Sequence, residues 1–228
     1  MLRYLTLIAT ITFVLSPLVT SPFSGFEADQ LPVPQVDPPI QPAGWAFSIW
    51  GVIYLWLLVS AVYGVLRPTP HWDAARAPLL VSLAIGTPWL AIANASVLWA
   101  TVTIWLMLGT AILALLRSPV EDRYWFRLPV GLYAGWLSAA AFVSLASLAA
   151  GNGILDGVIW AWIGIPAAVA LGIVVQTRAT QAATYGAAIA WALVAIMVVN
   201  LNDLVGIAAL AGIGSAVMAI MAVRSMKI

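Results

Sequence analysis

Chemistry needs side chains that carry charge, attack or ligate, and this sequence has few in positions where they could cooperate. There is no cysteine and one histidine, His71, which stands in a polar stretch. Disulfides, thiolate chemistry, cysteine-held clusters and bis-histidine haem ligation within one chain are therefore excluded. The carboxylates fall outside the long apolar runs. Asp156 stands at the edge of one run, and Asn200, Asn202 and Asp203 read as a polar turn between two others. No nucleophile–base pair, paired acid or metal cluster is visible, so an enzyme is the least favoured reading. What the chain has in abundance is tryptophan, twelve in 228 residues. Trp72, Trp125, Trp160 and Trp162 lie near the ends of apolar runs, as interfacial rings do. Trp50, Trp56, Trp89, Trp105 and Trp136 lie deeper. Trp50 and Tyr54 are four apart, so they share a helix face. Tyr133 and Trp136 share another, continued by Ala140 and Ser144. Small residues beside large rings leave room either for a neighbouring helix or for a flat ligand.

The elements that must position these rings follow from composition. Hydrophobic residues make up 64% of the chain and charged residues 7%, where a soluble domain carries about 25% charged residues. The mean hydropathy is +1.05. So much apolar surface is accommodated by lipid rather than by a water-shielded core. Apolar runs bounded by charge, Pro or Asn give eight candidate spans: 5–20, 45–66, 78–93, 97–116, 128–149, 157–175, 182–199 and 204–223. The expected fold is an all-α polytopic transmembrane bundle. Gly86 and Pro88 predict a bent or interrupted third helix, because Pro88 removes a donor and its ring clashes one turn back, at Ala84. The first run has the Arg3–apolar–small pattern of a signal peptide but no clear A-x-A site, and is retained as the first span.

With eight spans, Arg3, Arg67, Arg76, Arg117, Arg123, Arg127, Arg178, Arg224 and Lys227 all fall on one side. Glu27, Asp29, Asp37, Asp156 and Asp203 fall on the other. This predicts cytoplasmic N- and C-termini, with a bacterial inner membrane as the expected location. The Pro-rich loop 21–43 then faces the opposite compartment. No ionisable side chain lies inside a predicted span. That argues against proton-driven transport and against a lipid-phosphate enzyme with carboxylate-held magnesium. The net charge of +1 gives no reason to expect a nucleic-acid partner.

Pro42-Ala-Gly-Trp-Ala-Phe-Ser-Ile-Trp-Gly-Val-Ile-Tyr54 resembles the motif that opens the second span of the TspO/MBR family, the tryptophan-rich sensory or translocator proteins. Leu128-Pro-Val-Gly-Leu-Tyr-Ala-Gly-Trp136 with Ala140 resembles its fifth-span motif, and Ser82 through Trp89 its third-span stretch. The resemblance covers about 5–149 and is closest to an extended branch with extra C-terminal spans. It implies a five-span core at 1–150 and three additional spans at 151–228. It also implies a ligand-binding set of Trp45, Trp50, Tyr54, Trp89, Tyr133, Trp136, Ala140 and Ser144. In the family such residues line a pocket for porphyrins, sterols and synthetic ligands. This chain departs from the pattern: Trp45 and Trp50 are one residue closer, Gly86 and Ser144 stand where Asn is expected, and Ala141 replaces Thr.

The expected function is a membrane-embedded sensor or carrier for a flat hydrophobic ligand: a tetrapyrrole, or else a carotenoid, sterol or quinone. No cofactor is required for it. The expected partners are membrane lipids and that planar molecule, with a homodimer as a further possibility. The competing reading is a structural or assembly subunit of a larger membrane complex.

Overall fold

The computed structural model describes residues 1–228 except 22, 24, 68, 227 and 228. Among the described residues the chain is helical, with no strand. Its helices are α1 (Leu2–Leu15), α2 (Ile49–Leu66), α3 (Asp73–Gly86), α4 (Trp89–Ala95), α5 (Val97–Leu116), α6 (Leu128–Gly151), α7 (Gly157–Arg178), α8 (Ala183–Asn200) and α9 (Val205–Ser225). Seven helical rods are long and apolar enough to cross a membrane, α3 and α4 counting as one at Pro70–Ala95. The first apolar helix, Leu2–Leu18, is shorter. At about 1.5 Å per residue it reaches roughly 25 Å, less than the hydrocarbon core of about 30 Å. It nonetheless packs into the bundle, against α2 and α3.

The third span is interrupted where the sequence predicts. Thr87 closes α3 by donating to Leu83 O at 2.9 Å, Pro88 has no N–H to offer Ala84, and Ile92 N restarts the ladder on Pro88 O at 3.0 Å. Its start differs from the expected position 78. The turn Pro70–Trp72 leads into a helix that begins at Asp73, with Pro78 buried inside it. Arg76 therefore lies within the helix, buried, and donates to Gly64 O, Thr69 O and Asp73 Oδ1. The fifth predicted span also begins early, with a π-turn over Arg123–Arg127 ahead of α6. Trp72 is not an interfacial ring. It is 1% exposed, and its Nε1 donates to Asp122 Oδ2 at 2.7 Å.

α6 is the central helix. Every residue from 129 to 139 is buried, as expected of a helix that is apolar all round. α2, α5, α7 and α8 pack around it. The closest approach is to α8. A Cβ built on Gly135 would strike Tyr185 O, and one on Gly131 would come within 2.8 Å of Thr184 Oγ1. Small residues four apart let the two backbones meet. The contact is tied at both ends, by Thr184 Oγ1 donating to Leu128 O at 2.6 Å and by the Ser138–Tyr185 hydroxyl pair at 3.0 Å.

The loops gather at the two ends of the bundle. At one end Arg127 donates to Thr180 O at 2.6 Å and to Ser118 O, Arg123 to Gln181 Oε1 at 3.1 Å, and Gln181 N to Ser225 O at 3.0 Å. Arg3 shares a small cleft there with Arg76 and Trp72. At the other end, loop 21–43 is held by Gln30 Nε2 on Ala93 O at 3.0 Å, Val33 N on Gly151 O at 2.9 Å and Asn200 Nδ2 on Pro39 O at 2.8 Å. Asn200 is thus a buried clasp rather than part of an exposed turn; residues 201–203 make that turn. Arg3 and Ser225 both lie at the arginine-bearing end, and Lys227 lies outside the described residues. Reporter fusions after Gly25 and after Ser118 are expected to locate to opposite compartments; the same location for both would refute this topology.

Candidate ligand cavity

Three helix faces meet around one space. On α2, the stacked pair Trp50–Tyr54 (5.2 Å between centroids, 22° between planes) realises the face read from their four-residue spacing. On α6, Trp136 meets Trp50 edge-on at 6.3 Å. Trp89 begins α4, and its ring is fixed by donation from Nε1 to Ala100 O at 3.0 Å and by an edge contact with Phe23 at 5.2 Å. The cavity measures about 200 Å³. Six of the eight expected residues line it: Trp50, Tyr54, Trp89, Trp136, Ala140 and Ser144. Among the described residues no Asp, Glu, Lys, Arg or His does so.

Trp45 and Tyr133 are not in the wall. Residues Gly44–Ser48 form a 3₁₀ turn instead of the first turn of α2. At three residues per turn, side-chain directions differ from those of an α-helix. Ala46 turns inward, Phe47 takes the place against Trp136 at 5.7 Å, and Trp45 is 46% exposed against Trp191. Tyr133 is one layer deeper. It is fully buried behind Phe13 and Trp50, with its hydroxyl bonded to Ser82 Oγ at 2.9 Å. It supports the wall without being part of it.

The sequence reading missed Phe13. This ring sits edge-on to Trp50, Tyr54 and Tyr133, all within 6.0 Å. Gly86 makes the space for it: a Cβ there would lie 2.7 Å from Phe13 Cε2 and 2.9 Å from Met107 Cε. So the glycine at the expected Asn position and the phenylalanine of α1 are one packing solution. Gly86→Asn is expected to lower stability by about 1–3 kcal/mol through overpacking. In combination with Phe13→Ala it should cost less than the sum of the two single changes. Additive melting temperatures would show that the two positions are uncoupled. Ser144, at the other expected Asn position, pairs with Thr101 Oγ1 at 2.7 Å, while Thr101 also bonds Val97 O at 2.8 Å. The Pro-rich loop contributes Phe23, Phe26 and Gln41, and α8 contributes Ala192. The wall therefore extends beyond the first five spans.

An all-helical membrane bundle enclosing an aromatic, charge-free cavity defines a membrane-embedded binding protein. The chain belongs to the TSPO-like family: the profile described as TSPO-like protein matches residues 2–224. That match runs through the C-terminal helices as well as the core that carries the motifs. The family is one of membrane sensory and binding proteins and is generally not enzymatic. No curated protein and no solved structure matches the chain.

Proposed function

We propose that this protein takes up a flat, hydrophobic small molecule in the cavity between α1, α2, α4, α5 and α6, and acts as its sensor or carrier. The observation that carries this reading is the convergence of Trp50, Tyr54, Trp89 and Trp136 on one uncharged space. Binding would come from apolar burial, at about 25 cal/mol per Å², and from ring contacts. Drug-sized ligands occupy roughly 300–1,000 Å³. A cavity of about 200 Å³ therefore suits a one- or two-ring head group with a tail leading out, as in a quinone. A sterol, a carotenoid or a whole tetrapyrrole would require the wall to widen. We place the protein in a bacterial inner membrane with both termini in the cytoplasm, on the charge sorting above.

Titration of the purified protein with tetrapyrrole, carotenoid and quinone probes, followed by intrinsic tryptophan fluorescence, tests the reading. At least one class is expected to quench saturably. If none changes the signal, the carrier reading fails, and a subunit that uses these rings in a protein contact takes its place.

A further inference from the structure

We infer that the cavity selects an uncharged molecule bearing a hydrogen-bond acceptor, such as a ring carbonyl, and that Trp50, Trp136 and Tyr54 supply the donors. This rests on the proposed binding function and adds to it the chemical class of the ligand.

The inference starts from which aromatic donors are already used. Among the described residues, the indole N–H groups of Trp56, Trp72, Trp89, Trp160 and Trp191 each bond a protein oxygen: Tyr124 O, Asp122 Oδ2, Ala100 O, Ile154 O and Ala46 O. The buried tyrosines Tyr133 and Tyr185 bond Ser82 and Ser138. Trp45, Trp99, Trp125 and Trp162 have no protein acceptor, but each is more than 40% exposed, and Trp105, Tyr4, Tyr63 and Tyr124 stand outside the cavity wall. That leaves Trp50, Trp136 and Tyr54. All three line the cavity, and none has a protein acceptor for its N–H or O–H. Trp136 is only 2% exposed. The one sealed, unpartnered side-chain polar atom among the described residues is Ser147 Oγ. The Trp136 N–H is therefore not sealed, and the space it meets is the cavity.

Buried donors are normally satisfied, and one left open in an apolar place is unfavourable. Trp136 is such a group, and the half-buried Trp50 and Tyr54 adjoin it to form a donor patch: Trp50 stacks on Tyr54 at 5.2 Å and meets Trp136 at 6.3 Å. Deeper in the wall the hydroxyls are engaged: Ser16 Oγ donates to Phe13 O, and Ser144 Oγ pairs with Thr101 Oγ1; Ser21, also in the wall, is exposed. The missing partner is thus an acceptor. With no cationic or anionic side chain in the wall, a carboxylate or an ammonium would be buried without a counter-charge, which is far more costly than burying a neutral carbonyl.

The test uses three probes with one carbon frame: a 2-alkyl-1,4-naphthoquinone, the matching 2-alkylnaphthalene and the matching alkylnaphthoate. Each is titrated calorimetrically into the full-length protein in lipid nanodiscs. The quinone should bind at least about tenfold more tightly than either of the others. Trp136→Phe and Trp50→Phe keep a ring but lose the N–H. Each should weaken the quinone about tenfold more than it weakens the naphthalene, the excess being the equivalent of one hydrogen bond, since the smaller ring affects both probes alike. Retained naphthalene binding also shows that a variant is folded. Equal binding of quinone and hydrocarbon by the wild type, equal binding of the carboxylate, or parallel loss of both neutral probes in the variants would overturn the inference while leaving the cavity as a binding site. Binding of none of the three would overturn the binding function as well.

Discussion

Replacing Gly135 by leucine will push α6 and α8 apart and leave little folded protein. At this position even the first carbon of a side chain lands on the carbonyl oxygen of Tyr185 and lies 2.9 Å from Ala188 Cβ. The obstacle is backbone, so no rotamer of a neighbour relieves it. The helices must separate, and the Ser138–Tyr185 and Thr184–Leu128 hydrogen bonds that tie them are strained or lost. A cost of at least about 3 kcal/mol is expected, the upper end of the usual overpacking range. Gly109→Leu is the matched control, since nothing lies within 4 Å of a Cβ there. Thermal unfolding in detergent should separate the two variants clearly; equal melting temperatures would mean that the α6–α8 contact is looser than described.

Trp136→Ala is expected to weaken binding of the cavity ligand by roughly 1–3 kcal/mol, about 5- to 150-fold, from lost apolar contact and stacking. The side chain is 2% exposed and holds both Phe47 and Trp50 edge-on, so its removal loosens the wall as well as deleting part of it. Affinity should therefore be measured on the folded fraction isolated by gel filtration. Arg123→Ala changes a residue at the far end of the bundle, where the guanidinium bonds Gln181 and lies over the Tyr124 ring. It should leave affinity unchanged. If both variants bound as the wild type does, the ligand would have to sit elsewhere.

Regular periodicity made part of this site readable in advance. Trp50 and Tyr54 lie in an uninterrupted α-helix, so a spacing of four translated directly into a shared face. Pro88 marked the break in the third span because a missing N–H has the same effect in any helix. Periodicity misled where the backbone changed type. The 3₁₀ turn at Gly44–Ser48 rotated Trp45 out and Phe47 in. Pro78 was read as a boundary, yet it sits inside α3. Phe13 was invisible for a different reason. Nothing in the pattern of the first run distinguishes a ring facing lipid from one facing a cavity, and the glycine that admits it is 73 residues away in the chain. The use of Ser144 by Thr101, and the approach of Ala192 to the wall, are likewise contacts between distant segments.

The way loop 21–43 is fastened bears on the order of assembly. Its residues are among the first to be synthesised, and they cover one end of the cavity through Phe23, Phe26 and Gln41. Its first anchors, Gln30 on Ala93 and Phe23 on Trp89, form with α4, but others arrive late. Leu31 seats on Gly151, Ile40 on Gly164, and Pro39 receives its hydrogen bond from Asn200, 161 residues further on. A chain emerging from the ribosome and inserting helix by helix cannot complete these contacts until α8 is in place. The early helices can bring Trp50, Tyr54 and Trp136 together, but until α6, α7 and α8 are in place the segment covering them is held on the α4 side alone. The seating of the cover is thus completed only late in biogenesis, and a ligand present during insertion would meet a site whose cover is still partly unfastened.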